Sequence, residues 1–224
     1  AYNSSLRMKI TLPDGSEREY NEGASGNDIA ASISAGLARN ALGIVVNGVM
    51  YDISRPITAD AHVRIVTWSD DEGKEIFWHS TAHLMAEALE ALYPGVKFGI
   101  GPPIEAGFYY DVDLPEGVKL STEDLAAIEN KMKELVKADS SYQRVETTWS
   151  DAVAYFTNKG DEYKLELLEG LRDSEITLYT QGNFTDLCRG THVPSTSYIK
   201  YPKLLSIAGA YWRGDSARQQ LTRI

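Results

Sequence analysis

Apolar and polar residues alternate over residues 8–12. Pro13, Asp14, Gly15 and Ser16 supply turn chemistry, and residues 17–20 resume an extended pattern, so the opening predicts a hairpin. An alanine-rich apolar stripe over 29–37 predicts a helix, with Asn27 placed as its N-cap. Short apolar runs at 44–46, 49–53 and 63–66 read as strands, the first two joined through Asn47-Gly48, a strong hairpin turn. Four or five strands around one helix make a small roll. The polar, acidic run 69–74 contains Gly73 and reads as a linker. Beyond it the pattern predicts a helix over 77–93 that ends at Pro94-Gly95, and broken strands over 98–113. A helix follows from a Ser121-Thr122-Glu123-Asp124 capping box to about 137, and a shorter one over 150–159. Extended segments are expected at 175–179 and 198–207. The fold class is therefore α+β in two domains, residues 8–68 and 69–224, with residues 1–7 a tail or tag remnant before a natural start at Met8.

Of the 224 residues 43% are hydrophobic and 24% charged, the balance of an ordinary globular chain. Apolar runs are too short to span a bilayer, and no basic-then-apolar leader opens the sequence. The single cysteine, Cys188, excludes an internal disulfide framework and suits a reducing, cytoplasmic setting. The net charge of −10 excludes a uniformly basic nucleic-acid binder. Residues 185–224, however, carry six bases against two acids, +4, and leave −14 on the remainder. A phosphate-facing C-terminal region on an acidic body fits that asymmetry; ordinary surface fluctuation fits it too.

Three of the four histidines fall into spaced pairs. His79 and His83 stand at i and i+4, one turn apart on a shared helix face, and Cys188 and His192 repeat the spacing. Such a set can hold zinc or line a polar pocket for proton transfer near neutral pH. A zinc peptidase would need glutamate where Ser80 stands. A closed structural zinc site and a metal-free site both remain open, as does the reading of two unrelated pairs. His62 stands alone and reads as structural or surface. The glycines at 99, 101 and 107 form neither a dinucleotide fingerprint nor a phosphate loop, but they can let the backbone approach a ligand closely. Of the adjacent Tyr109 and Tyr110, alternation on a strand lets one face a pocket and assigns the other to core packing. Arg213-Gly214-Asp215 has the form of an adhesion tripeptide, which nothing in the sequence places outside a cell.

Four stretches in order, HSTAHLMAEAL (79–89), GIGPPIEAGFYYDVD (99–113), TDLCRGTHVP (185–194) and AGAYWRGD (208–215), resemble the N-terminal part of bacterial threonyl-tRNA synthetases. ITLPDGSEREY resembles the small β-grasp (TGS) domain that opens those enzymes. The one departure noted is Thr191, where many members have proline. The resemblance implies a TGS-like domain followed by a larger editing domain with a helix-flanked antiparallel sheet. It implies hydrolysis of seryl-tRNA(Thr), a partner tRNA mischarged with serine, and no membrane. The class II aminoacylation domain would lie outside this chain, together with its ATP, magnesium and zinc and its homodimer contacts. Carried over by position, the catalytic residues are His79 and Lys164. The substrate-binding residues are His83, Tyr110, Asp186, Cys188 and His192, with Asp186 a partner for the seryl ammonium group. Lys164 taken alone reads as a solvated surface lysine. No cofactor is implied for the editing step, although zinc at His79, His83, Cys188 and His192 remains allowed by spacing. Lys200, Lys203, Arg213 and Arg218 are the expected phosphate neighbours. Two other classes stay open: a zinc-dependent hydrolase of small molecules, and a non-catalytic RNA-binding module.

Overall fold

The computed structural model describes residues 6–224; the first five residues of the expected tail lie outside the described residues, and Arg7 already opens the first strand. The chain divides into two compact units, one reaching to Phe77 and including Thr191–Pro194, the other comprising Trp78–Gly190 and Ser195–Ile224.

In the first unit β1 (Arg7–Thr11) and β2 (Glu17–Asn21) form the expected hairpin, closed by Gly15 at φ 85°. Helices α1 (Gly26–Ile33) and α2 (Ala35–Asn40) follow, then β3 (Gly43–Val46), β4 (Val49–Asp52) and β5 (Ala61–Val66). The sheet order is β2-β1-β5-β3-β4, with β1 and β5 parallel at its centre, the β-grasp arrangement. Asn47 and Gly48 both take positive φ (48° and 82°), as a tight β3–β4 turn with the twist of the strands requires. Exposed His62 is on β5, its backbone N–H donating to Asn47 Oδ1 at 2.9 Å. The core is Met8, Ile10, Ile29, Ile44, Ile53 and their buried neighbours.

Several details differ from expectation. The N-cap of α1 is Ser25, in a reciprocal capping box with Asp28, rather than Asn27. The single helix is two, because Ser34 adopts an extended conformation and caps both. The linker is also shorter than its composition suggests: α3 (Asp71–Leu92) begins inside it, with Asp71 and Glu72 favourably placed in its first turn. Gly73, which resembles a flexible spacer, is a point of close approach, since a Cβ there would lie 1.9 Å from the Thr67 carbonyl oxygen.

The second unit carries three antiparallel sheets. Strands β6 (Lys97–Phe98), β7 (Pro103–Ile104), β8 (Gly107–Phe108) and β9 (Asp111–Asp113) precede α4 (Leu125–Ala138), which the 3₁₀ turn at Thr122–Asp124 introduces. Next come β10 (Gln143–Thr147), α5 (Trp149–Lys159), α6 (Glu162–Glu169), β11 (Ile176–Gln181), β12 (Phe184–Leu187), β13 (Ala208–Tyr211) and β14 (Gln220–Arg223). The sheets are β10-β11-β12, β13-β14-β9-β6 and the pair β7-β8. The N-cap of α5 is Thr148, two residues before the expected start. β10, β12 and α6 have no counterpart in the sequence pattern, and the stretch expected to be extended over 198–207 is irregular up to β13.

Candidate active site

The second unit gathers its chemistry where α3, α6, β12 and the glycine-containing loop after β6 meet. Along β12 the side chains alternate, and Phe184 and Asp186 share the buried face. A carboxylate on a buried strand face requires partners, and it has three. Lys164 Nζ lies 2.8 Å from Asp186 Oδ1, His83 Nε2 lies 3.0 Å from Asp186 Oδ2, and the Tyr110 hydroxyl donates to Oδ2. Lys164 also donates to the Gly99 carbonyl at 2.8 Å and to the Tyr110 hydroxyl at 3.2 Å. The lysine's three donors thus meet three acceptors.

These residues lie beneath the surface: Lys164 is 4% exposed, His83 and Asp186 2%, and Tyr110 1%. The solvated-surface reading of Lys164 is therefore corrected. Its position in the first turn of α6 opposes the helix dipole, so its location is set by Asp186 and Gly99 rather than by local preference. Asp161 caps that helix and accepts from the Lys164 backbone N–H at 3.2 Å. Burial opposes the charge on Asp186, but Lys164 and His83 outweigh it and hold the carboxyl far below its ordinary range. Burial, then Asp186, pushes the Tyr110 hydroxyl well above its ordinary value, so it remains a donor.

His79 sits one turn before His83, with ring centroids 4.9 Å apart. Its Nε2 is 3.1 Å from Cys188 Sγ, which also accepts from the Gly190 backbone N–H at 3.3 Å. Burial and then the neighbouring His83 push the His79 imidazole down to about 3. It is therefore neutral at physiological pH. Two glycines make the packing possible. A Cβ on Gly190 would lie 2.6 Å from His79 Nδ1, and one on Gly101 would lie 2.3 Å from the Tyr110 ring. Phe98 and Phe184 form an aromatic floor, with Phe184 edge-on to His83 at 5.9 Å.

The structure thus brings together His79, His83, Tyr110, Lys164, Asp186 and Cys188, and it places Asp186 at the centre of a buried network. His192 belongs to the stretch packed with the first unit; it is buried, and its backbone N–H donates to Asp52 Oδ1 at 3.0 Å. The nitrogen and sulfur donors of His79, His83 and Cys188 lie within 4.8 Å of one another, close enough to share a soft metal. Tyr109 is not core: it is part-exposed, and the Arg223 guanidinium stacks 4.1 Å from its ring. Among the four expected phosphate neighbours, Arg218 is paired with Glu166 at 2.6 Å and Lys203 approaches Glu129 at 3.5 Å. Lys200 is exposed, and Arg213 is exposed with its backbone at φ 55°. Sequence reasoning missed Asp161 and Gly190; only the Asp161-to-Lys164 spacing, a capping signal, carried any trace of them.

The fold is thus a β-grasp unit and an α+β unit built around a His/Lys/Asp/Cys site, and two of its stretches match known domains. Residues 8–67 match the TGS domain, and residues 176–224 match the threonyl and alanyl tRNA synthetase second additional domain. The two matches stand in that order along the chain, and the similar curated proteins are threonine–tRNA ligases. It is similar to threonine–tRNA ligases: 61% identical over 97% of its length to that of Cytophaga hutchinsonii, covering 34% of the relative. Against the ligases of Porphyromonas gingivalis and Bacteroides fragilis the identities are 57% and 55%, again over 97% of the chain and 33% of each relative. The chain spans about a third of the length of these curated relatives. Among the described residues no helix is long and apolar enough to cross a membrane.

Proposed function

We propose that this chain hydrolyses the ester of seryl-tRNA(Thr), removing serine mistakenly joined to threonine tRNA. The observation that carries the reading is the buried Lys164–Asp186–His83 network directly behind a neutral His79. Serine differs from threonine by one methyl group, which supports only about 1–3 kcal/mol of discrimination. A second pocket too small for the methyl supplies the remainder. Water attacks the seryl carbonyl, and the ester C–O bond then breaks to release serine and the tRNA 3′ end. Neutral His79 orients the water as hydrogen-bond acceptor and relays its proton toward the departing ribose oxygen. Lys164, its donors committed, contributes its charge and the placement of Asp186. Asp186 has about one of four acceptor positions left for the seryl ammonium group. Lys200, Lys203, Arg213 and Arg218 face the tRNA; since Lys203 and Arg218 already have acidic neighbours, Lys200→Ala/Lys203→Ala should flatten the salt dependence of tRNA binding by a slope of about 2 at most.

Single-turnover deacylation of seryl-tRNA(Thr), with threonyl-tRNA(Thr) as control, tests the reading; hydrolysis of the seryl ester alone supports it, and hydrolysis of neither overturns it. We expect chelator-treated protein to keep the activity. Loss on chelation with recovery on zinc would favour the metal-dependent alternative.

A further inference from the structure

Beyond the residues that meet one another in the site, the sheet carrying Asp186 grips the helix carrying His79 and His83 at two points. Gln181, the last residue of β11 and 1% exposed, donates from Nε2 to the His83 carbonyl at 2.8 Å. Tyr142, buried immediately before β10, donates from its hydroxyl to the Ser80 carbonyl at 2.8 Å. Both carbonyls lie inside α3, where each already serves the helical ladder, so these are additional bonds on the second lone pair. Residues 80 and 83 stand three apart and share a helix face. Gln181 ends β11 and Tyr142 leads into its neighbour: β10 pairs with β11, and β11 pairs with β12 through Gln181 opposite Phe184, two residues before Asp186.

We infer that Gln181 and Tyr142 are positioning residues that fix the register of α3 against the sheet and thereby set the His83–Asp186 contact. The argument is geometric. The 3.0 Å separation of His83 Nε2 from Asp186 Oδ2 joins side chains on two different elements, so it survives only if those elements cannot slide. Apolar packing resists separation but tolerates small shifts, whereas two directed bonds from one sheet to one helix face do not. Gln181 is an expensive choice for this place, because its Oε1 is buried without a hydrogen-bond partner. An apolar residue would avoid that cost, and the amide is explained by what its other end holds. Burial pushes the Tyr142 hydroxyl well above its ordinary value, so this second donor also keeps its proton.

The inference rests on the editing reading for its activity arm only. We would compare wild type with Gln181→Met, which keeps length and loses the amide, and with Tyr142→Phe, which loses one oxygen. Ile176→Val, at the far end of the same strand in a separate apolar cluster, serves as the stability-matched control. The readouts are the ¹⁵N shifts and titration of the His83 ring, the unfolding midpoint, and single-turnover deacylation. Either clamp variant should move the His83 ring signals and slow hydrolysis by about tenfold, on the scale of a small misplacement. The double variant should lose less than the product of the two. Ile176→Val should lower the midpoint without moving the His83 signals. Unmoved His83 signals in a folded Gln181→Met or Tyr142→Phe, or signals moved equally by Ile176→Val, overturn the clamp. Should one clamp variant not fold, the other carries the test. If wild type lacks deacylation altogether, the editing reading fails, while the His83 spectrum still decides the clamp.

Discussion

His83 Nε2 and Asp186 Oδ2 face each other at 3.0 Å in the interior of the second unit, with Lys164 on the opposite carboxylate oxygen. The relationship makes Asp186 a structural charge as well as a site residue. Its folded carboxyl titrates far below the ordinary carboxylate range, so as pH falls the unfolded chain takes up the proton first. The stabilisation is therefore complete above the ordinary range and is lost as pH falls toward the folded value. Asp186→Ala should destabilise by about 3–5 kcal/mol, because it leaves Lys164 buried without its counter-charge. Denaturant midpoints at pH 7 and pH 4 check this. A variant as stable as wild type at pH 7 would show that the pair contributes nothing net.

His79 gives the second pH dependence. Burial and His83 lower its imidazole from 6.5 to about 3, so between those values the unfolded chain binds a proton that the folded chain refuses. Acidification through this window destabilises the fold, in the same direction as Asp186. Deacylation should show no inflection near pH 6.5 attributable to His79. The ring's own titration, followed by NMR, separates the cases: a midpoint near 6.5 would contradict the buried, neutral assignment.

The local chemistry of this chain was legible wherever sequence neighbours create it. Asn47-Gly48 dictates its turn, and the i, i+4 spacing puts His79 and His83 on one face once α3 is a helix. The Cys188-to-His79 contact spans 109 residues, and the bonds that bury Lys164 reach 65 residues back to Gly99 and 22 forward to Asp186. No local pattern encodes such pairings. Lys164 reads as a surface residue because a lysine taken alone normally is one; only the resemblance marks it. Gly73 and Ser34 misled in the other direction. One is a helix residue whose missing side chain admits a carbonyl, and the other is a polar residue that ends one helix and begins the next. β10 and α6 escaped notice because β10 buries little of its own surface and α6 is defined by what packs on it, Trp212 and Leu221 against Tyr163.

Gly190 offers a test of how closely the His79 ring is held. Its φ is not in the left-handed region, so alanine is conformationally allowed, but the added Cβ would meet His79 Nδ1 at 2.6 Å. The ring must then move away from Cys188 Sγ. Gly190→Ala should fold with nearly normal stability and lose about 10-fold or more in single-turnover deacylation, since misplacement of a reacting group by a fraction of an ångström is costly. Unchanged hydrolysis would mean that the ring's position is not limiting.

The final prediction concerns whether His79 and the buried pair serve one transition state. Removing the imidazole by His79→Ala should slow hydrolysis of seryl-tRNA(Thr) by about 10²–10⁴-fold, the scale of a lost proton-relaying group. Lys164→Ala alone is a poor probe, because it strands the Asp186 carboxylate in the interior. The pair variant Lys164→Met/Asp186→Asn removes both charges together and leaves no orphaned ion, while the introduced amide can still meet the Tyr110 hydroxyl. It should fold and hydrolyse slowly. Adding His79→Ala to that background should cost much less than it does in wild type, because residues acting on one transition state lose their contribution together. Full multiplicativity would instead assign the pair to folding alone and leave His79 to act by itself. Threonyl-tRNA(Thr) should remain uncleaved in every variant, because rejection of the extra methyl rests on the volume of the pocket and none of these changes enlarges it on the methyl's side. Wild-type hydrolysis by His79→Ala would remove this residue from the reaction and leave the helix pair as packing.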